Sequence, residues 1–292
     1  MFGKKKKQKE KREPFNLKKE VKLLPGYIVL ILWVALTVIM IGWIFAASLS
    51  TPREINSGNV LKFASGLHFE NYALAWKAQN VSVFFMNSLI YATVSCVMII
   101  LISAPAAYVL SRFTFLGNKT IKTSLVMAMS IPAIMIIMPL FSVTTKAHIP
   151  GRLTLIVLYI CMNIPFTTTF LLNFFGTLSR TYEEAAAVDG CPPIKTFWTI
   201  MLPLAQPGII TVSIFNFLAV WNEYFMSLIF ASSDSSKSVG VGLVNLVNSM
   251  KYTGELGGLF AAVVIVFLPT FLIYIFLSEK IIAGVTGGGI KG

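Results

Sequence analysis

The chain has 292 residues, of which 56% are hydrophobic and 12% charged, about half the charged share of an average soluble domain. This composition excludes an ordinary soluble protein and indicates one that crosses a membrane several times. The net charge of +12 does not indicate nucleic-acid binding, because residues 1–22 alone hold ten Lys and Arg against three Glu, directly before an apolar run. Such a basic segment is typical of a cytoplasmic tail that contacts anionic lipid.

Six apolar runs are long enough for a spanning helix, which needs about 20 residues. With residues 1–22 inside, the inner segments hold seventeen Lys and Arg and the outer loops seven. This bias predicts a multi-pass protein of the plasma or inner membrane with both termini in the cytoplasm. The predicted spans are Tyr27–Ser48, Phe84–Leu110, Ile121–Val143, Leu153–Phe175, Gly208–Ala231 and Leu256–Leu277.

Several predicted spans contain proline, and two predicted outer loops are long. Proline kinks in a membrane indicate either a bundle around a pathway or simple packing kinks, and the sequence leaves both open. The outer loops are 49–83, which is polar and aromatic, and 232–255, which is rich in Ser, Gly and Asn. We expect the second of them to contact a partner. The prolines are Pro105, Pro132, Pro139, Pro165 and Pro269.

A polar segment, 181–207, separates the fourth and fifth spans and is called the coupling segment below. Thr181 followed by Glu184 is the pattern of a capping box, which predicts a helix start. Gly190 tolerates the left-handed conformation of a helix end. A second helix begins at the following prolines and continues until Pro203 and Pro207. Local physics alone leaves an ordinary cytoplasmic hairpin as the alternative.

The sequence contains few residues suited to catalysis or metal binding. Cys96, Cys161 and Cys191 show no paired spacing, which argues against a disulfide framework or a zinc site. His68 and His148 lie far apart in predicted outer loops. No G-x-x-x-x-G-K-[ST] loop occurs, so we expect that this chain does not bind ATP phosphates.

The coupling segment resembles the EAA loop of ABC-transporter permeases that serve binding-protein-dependent importers. The similarity lies in Glu184-Ala185-Ala186, then Gly190 after three intervening residues, then Ile200 and Leu202-Pro203. Other stretches resemble the carbohydrate branch of that family, especially the smaller permease of maltose-type systems. They are 106–108, Arg112-Phe113, Trp221–Tyr224 and the terminal GVTGGGIKG. The chain departs from the family pattern at two places. Cys191 stands where Ala is usual, and three consecutive glycines at 287–289 predict an unusually flexible tail.

The resemblance implies an all-α membrane protein of six transmembrane helices with the type I importer permease fold. It implies domains at 1–22 (basic tail), 23–83 (first helix and outer loop), 84–279 (permease core) and 280–292 (cytoplasmic tail). It also implies a non-catalytic subunit with several partners: a second permease, two ATP-binding subunits that hold ATP and Mg, and an extracytoplasmic solute-binding protein. The residues implied in ATPase coupling are Glu183, Glu184, Ala185, Ala186, Asp189, Gly190, Lys195, Phe197, Trp198, Leu202 and Pro203.

The expected cargo is a sugar, with an oligosaccharide favoured. Glu223 is the only ionisable residue well inside a predicted span, and buried charges usually face a cavity. Aromatic and amide side chains suit a sugar, although Asn and Thr in membrane helices also bond to neighbouring helices. The alternatives are a non-sugar solute and a proton-driven transporter that uses Glu223. The candidate path residues are Asn163, Thr167, Thr168, Asn216, Trp221, Asn222 and Glu223.

Overall fold

The computed structural model describes residues 17–77 and 80–287, and these contain helices but no strand. The all-helical prediction is therefore confirmed for the described part of the chain. Most of the predicted basic tail, 1–16, and the end of the C-terminal tail, 288–292, lie outside the described residues.

The helices vary from five to 32 residues, and two short 3-10 turns, Val60–Lys62 and Asp234–Ser236, occur between them. The helices are α1 Leu17–Ser48, α2 Pro52–Asn56, α3 Glu70–Lys77, α4 Val81–Arg112, α5 Asn118–Met129, α6 Ala133–Lys146, α7 Gly151–Thr177, α8 Thr181–Val188, α9 Pro193–Leu204, α10 Gln206–Trp221, α11 Phe225–Phe230, α12 Val239–Thr253 and α13 Leu256–Gly287.

Four of the six predicted spans are continuous helices, namely α1, α4, α7 and α13. The other two are broken. The third predicted span bends by 97° between α5 and α6, where Pro132 cannot continue a helix. The fifth becomes α10, a gap at 222–224, and α11. Pro105, Pro165 and Pro269 lie inside continuous helices, so a proline alone did not decide where a span breaks.

The core is formed by α4 and α7, which pack along their lengths, with α10 against both. The half of the core nearest the coupling segment contains a fully buried Phe175 beside Tyr108, with ring centroids 5.5 Å apart. A methyl group at Gly208 would lie 2.6 Å from the Phe174 ring, so α10 and α7 approach too closely there for a side chain. The absence of a side chain at Gly208 therefore sets the spacing of the core helices.

The second predicted outer loop, 232–255, is mostly helix, which corrects its interpretation as an open loop. Helix α12 covers Val239–Thr253 and packs on α4 and α13. Val239 and Leu246 are buried, and a methyl group at Gly242 would lie 2.0 Å from the Phe84 ring. Because Gly has low helix propensity, tertiary packing rather than local preference stabilises this helix.

Candidate coupling surface and transport path

Helix α8 begins the coupling segment, but it starts differently from the sequence prediction. Its N-cap is Arg180, whose φ of −70° and ψ of −17° are helical, and no side chain caps the helix. The Thr181 hydroxyl pairs with that of Ser179 at 2.8 Å. The predicted capping box between Thr181 and Glu184 is therefore wrong, because Thr181 lies inside the helix. The side chain of Glu184 remains exposed on the first turn.

The turn after α8 has the hydrogen bonds of a Schellman motif, as expected for a helix that ends at glycine. The Cys191 N–H donates to the Ala186 carbonyl at 2.8 Å, and the Gly190 N–H donates to the Ala187 carbonyl at 3.0 Å. Gly190 has a φ of +72°, and no atom lies within 4 Å of where its Cβ would be. The positive φ therefore explains why glycine occupies this position. No other described part of the chain packs against the place where a side chain would be.

Four large apolar side chains around this turn are exposed, and we call them the coupling face. Val188 is 88% exposed and Ile194 77%, which are high values for aliphatic residues outside the spans. The sequence prediction included only Trp198 of this set. The signal for the others was present, because Val188 and Ile194 are isolated aliphatic residues in a polar segment. The coupling face consists of Tyr182, Val188, Ile194 and Trp198.

The opposite side of the segment packs into the bundle. Phe197 is only 5% exposed, and its ring centroid lies 5.0 Å from that of Tyr108 on α4. Phe197, which the resemblance implied in ATPase coupling, therefore faces the bundle and is not exposed to a partner. Ala186 is also buried, and Leu202 packs against the same core. The remaining predicted coupling residues, Ala185, Asp189, Lys195 and Pro203, are exposed.

Glu183 faces the chain interior, unlike its neighbour Glu184. Its Oε1 lies 3.1 Å from Nε of Arg112, the last residue of α4. Arg112 also donates from Nη2 to the Leu178 carbonyl at 2.8 Å. The two charged side chains border an open pocket of about 320 Å³ between α4 and the coupling segment. The first turn of α8 thus contains one glutamate bound within the chain and one that is free.

The gap between α10 and α11 contains Glu223, whose carboxylate accepts three hydrogen bonds. The Tyr159 hydroxyl donates to Oε2 at 2.9 Å. The backbone N–H groups of Met226 and Ser227 donate at 2.6 and 3.2 Å. Glu223 thus holds the start of α11 and joins it to α7. Its neighbour Asn222 is exposed, and its amide donates to the Leu218 carbonyl.

The other candidate path residues are engaged within the bundle. Trp221 is 2% exposed and donates from its indole to the Val266 carbonyl on α13. Thr167 donates to the Asn216 side chain at 3.0 Å, and both are buried. Asn163 donates to the carbonyl of Tyr159, one turn earlier on its helix.

Thr168 is buried as well, and its hydroxyl has no partner among the described residues. Of the seven candidates, only Asn222 is exposed, while Asn163 and Glu223 are half-buried.

This architecture can be compared with known proteins. Residues 97–279 match the model of the family described as the binding-protein-dependent transport system inner membrane component. That stretch is more than half of the chain. The chain belongs to this family. It is therefore a membrane component of an ABC importer, which is a permease subunit rather than an enzyme.

Individual relatives are similar over nearly the whole permease. It is 32% identical to the diacetylchitobiose uptake system permease protein NgcG of Streptomyces coelicolor, over 91% of this chain and 88% of that protein. It is 26% identical to the trehalose transport system permease protein SugB of Mycobacterium tuberculosis, over 89% and 97%. The fold is shared with a bacterial ABC transporter involved in the import of alginate, with a TM-score of 0.79 and 19% identity. The match covers 92% of this chain and 99% of that chain.

Proposed function

We propose that this permease forms, with a second permease, the transmembrane pathway for a sugar delivered by a solute-binding protein. Two ATP-binding subunits, which hold ATP and Mg, bind the coupling segment from the cytoplasm. In this proposal both termini of the permease are cytoplasmic. ATP binding draws the coupling segments of the two permeases together, and the bundle opens outward to accept the sugar.

The observation that carries this proposal is the coupling face. Two of its four large apolar side chains, Val188 and Ile194, are mostly exposed, and the other two are about half exposed; exposed apolar side chains on a polar segment are typical of a protein interface. The Schellman motif at Gly190 satisfies the helix end without a partner, so the patch is available for contact. Exposed Glu184, Asp189 and Lys195 form a polar rim beside it.

The broken third span supports a pathway on one side of the bundle. Ser130, Ile131 and Pro132 are exposed. Pro132 is the N-cap residue of α6, and no side chain caps this helix. Uncapped backbone N–H groups cost several kcal/mol each in hydrocarbon, so exposed breaks face water or protein rather than lipid. We therefore assign this break to the pathway or to the second permease, together with exposed Asn222 at the other gap.

The sugar class rests on the relatives, which are named for diacetylchitobiose, trehalose and sulfoquinovosyl glycerol transport. All three names denote sugars or glycosides. Trp221, Asn216 and Thr167 are scaffold residues in this proposal, because all three are buried and Trp221 and Thr167 bond within the bundle. Asn222 and Glu223 are the residues through which this chain contacts cargo in this proposal, because they lie in the gap between α10 and α11 and are exposed and half-buried.

The test is uptake by the complete transporter in proteoliposomes with internal ATP. We expect uptake of a di- or oligosaccharide that requires both ATP and the solute-binding protein. A panel of labelled sugars, amino acids and peptides identifies the cargo. Uptake of only non-sugar solutes contradicts the sugar assignment, and uptake without ATP contradicts the importer.

Glu223→Gln separates the ATP-driven importer from a proton-driven transporter. Glutamine cannot exchange a proton, and its single amide oxygen can still accept from Tyr159 and Ser227, although its NH₂ group then replaces the acceptor of the Met226 N–H. We expect uptake by this variant to continue with ATP and to stop when ATP is depleted. Uptake by the wild type that needs a proton gradient but no ATP, and that is lost in the variant, favours proton coupling through Glu223.

A further inference from the structure

The cytoplasmic end of α4 is joined to the coupling segment by a buried ion pair. Arg112 and Glu183 approach to 3.1 Å between Nε and Oε1, and their side chains are only 6% and 20% exposed. The two atoms form an ion pair without hydrogen-bond geometry, and neither has a hydrogen-bond partner among the described residues. Arg112 also donates to the Leu178 carbonyl, directly after α7. One guanidinium therefore connects α4, α7 and α8, and we call the Arg112–Glu183 pair the latch.

The latch differs from the other ion pairs of the described residues. The pairs of Lys237 with Asp234 and of His68 with Glu70 join residues two or three positions apart on the outer side. Each of those pairs includes a carboxylate that is at least 70% exposed. Exposed local pairs contribute little, whereas removal of one partner from a buried pair leaves an uncompensated charge. Only the latch is both buried and formed between distant elements.

Surrounding aromatic residues hold the latch in place on one side and leave space on the other. Tyr108 borders the pocket together with Arg112 and Glu183, and its ring packs on Phe197 and Phe113. The pocket of about 320 Å³ is lined by both charged partners. The latch thus has packed aromatic rings on one side and open space on the other.

Helix α8 has few other attachments to the spans. Its remaining main contacts are with α9, the next element of the same segment. A displacement of α8 therefore reaches α4 and α7 by two routes. One is the apolar packing of α9, whose Phe197 contacts Tyr108 and Phe175. The other is the latch, which joins α8 itself to the end of α4.

We propose that the latch transmits the displacement of α8 to α4 and α7, with Glu183 as a positioning residue that acts within the permease. Glu183 therefore does not bind the ATP-binding subunit, in contrast to exposed Glu184. The inference rests on the proposed function, because it requires an ATPase that moves α8. Its distinct consequence is that loss of the latch uncouples ATP hydrolysis from transport without weakening assembly.

The test measures sugar uptake per ATP hydrolysed by the full transporter in proteoliposomes. We expect Glu183→Gln to lower this ratio by about tenfold, because the neutral amide keeps the volume but removes the ion pair. Co-purification of the ATP-binding subunit should equal that of the wild type. Arg112→Lys, which keeps the charge, should retain more of the ratio than Arg112→Met.

The matched control is Glu184→Gln, one residue further along the same turn. It should weaken binding of the ATP-binding subunit and leave the uptake-to-hydrolysis ratio of assembled complexes unchanged. A normal ratio in assembled Glu183→Gln overturns the latch, as does loss of ATPase binding in that variant. If the wild-type permease itself fails to bind an ATPase, the proposed function is wrong rather than the latch alone.

Discussion

Two segments of this permease share the pattern Thr-x-x-Glu: 51–54 in a predicted outer loop and 181–184 in a predicted inner one, called the outer and the inner segment. In the outer segment the pattern forms a complete capping box: the Thr51 hydroxyl accepts from the Glu54 N–H, and the Thr51 N–H donates to the Glu54 carboxylate at 2.9 Å. In the inner segment no such box forms, and Glu184 is exposed. The same local signal therefore produced a cap in one place and a free carboxylate in the other.

The residue after the threonine explains the difference. Pro52 disfavours helical backbone for the residue before it, and Thr51 has a φ of −77° and a ψ of 157°, as an N-cap requires. Tyr182 follows Thr181 and imposes no such restriction, so the helix begins one residue earlier. The lesson is that a carboxylate is available to a partner only when the local structure has not already used it.

The largest effect is expected at Gly190, which tests whether the inner segment is a contact surface. Gly190→Trp should lower ATP-dependent uptake by about a hundredfold, because the indole occupies space that the ATPase approaches. Gly190→Ala imposes the same backbone strain at a φ of +72° without bulk and should lose much less. Equal losses in the two variants, measured at equal membrane expression, contradict the contact.

The next effect is expected at the coupling face. Val188→Asp should weaken co-purification of the ATP-binding subunit by about tenfold, since a charge there would have to be buried on binding. Leu116→Asp is the matched control, because Leu116 is fully exposed at 103% in another inner turn but outside the coupling face. Similar losses in both variants argue that general surface charge, rather than the coupling face, determines association.

The comparison between the two threonines predicts a smaller effect, on stability alone. Thr51→Ala should lower the free energy of unfolding of the outer region by about 1 kcal/mol, because it removes the N-cap of α2. Thr181→Ala should change it by less than about 0.5 kcal/mol, since Thr181 caps nothing. Hydrogen exchange of the 51–65 and 181–190 amides provides the measurement. A larger loss of stability in Thr181→Ala than in Thr51→Ala contradicts the assignment of the N-cap to Thr51 alone.

The smallest effect is a pH dependence confined to the outer segment. Hydrogen bonds from the backbone N–H groups of Thr51 and Ser65 lower the pKa of Glu54 from 4.5 to about 2. Because the folded pKa is lowered, the stabilisation by Glu54 is complete above pH 4.5 and is lost as the pH falls from 4.5 toward 2. The protection factor of the Ser65 amide, which is corrected for the intrinsic pH dependence of exchange, should fall as the pH is lowered across this range in the wild type and stay constant in Glu54→Gln.

Much of the fold was predictable because it depends on composition and local chemistry. The six apolar runs, the helix end at Gly190 and the approximate helix of the coupling segment follow from hydropathy, proline and glycine. The helix of 239–253 was missed because its apolar residues are interspersed with Gly, Ser and Asn. It is stabilised by contacts with α4 and α13, and nothing in its own sequence indicates them.

By itself, the sequence determined that this chain is a helical membrane permease with a glycine-centred turn between two of its spans, since those features depend on residue type and short spacing. Tertiary structure alone decided which polar groups remain free. Glu183 is bound by Arg112 and Glu223 by Tyr159, partners that lie 71 and 64 residues away in the chain. Whether a side chain contacts a partner or its own fold depends on such distant neighbours, which local sequence cannot specify.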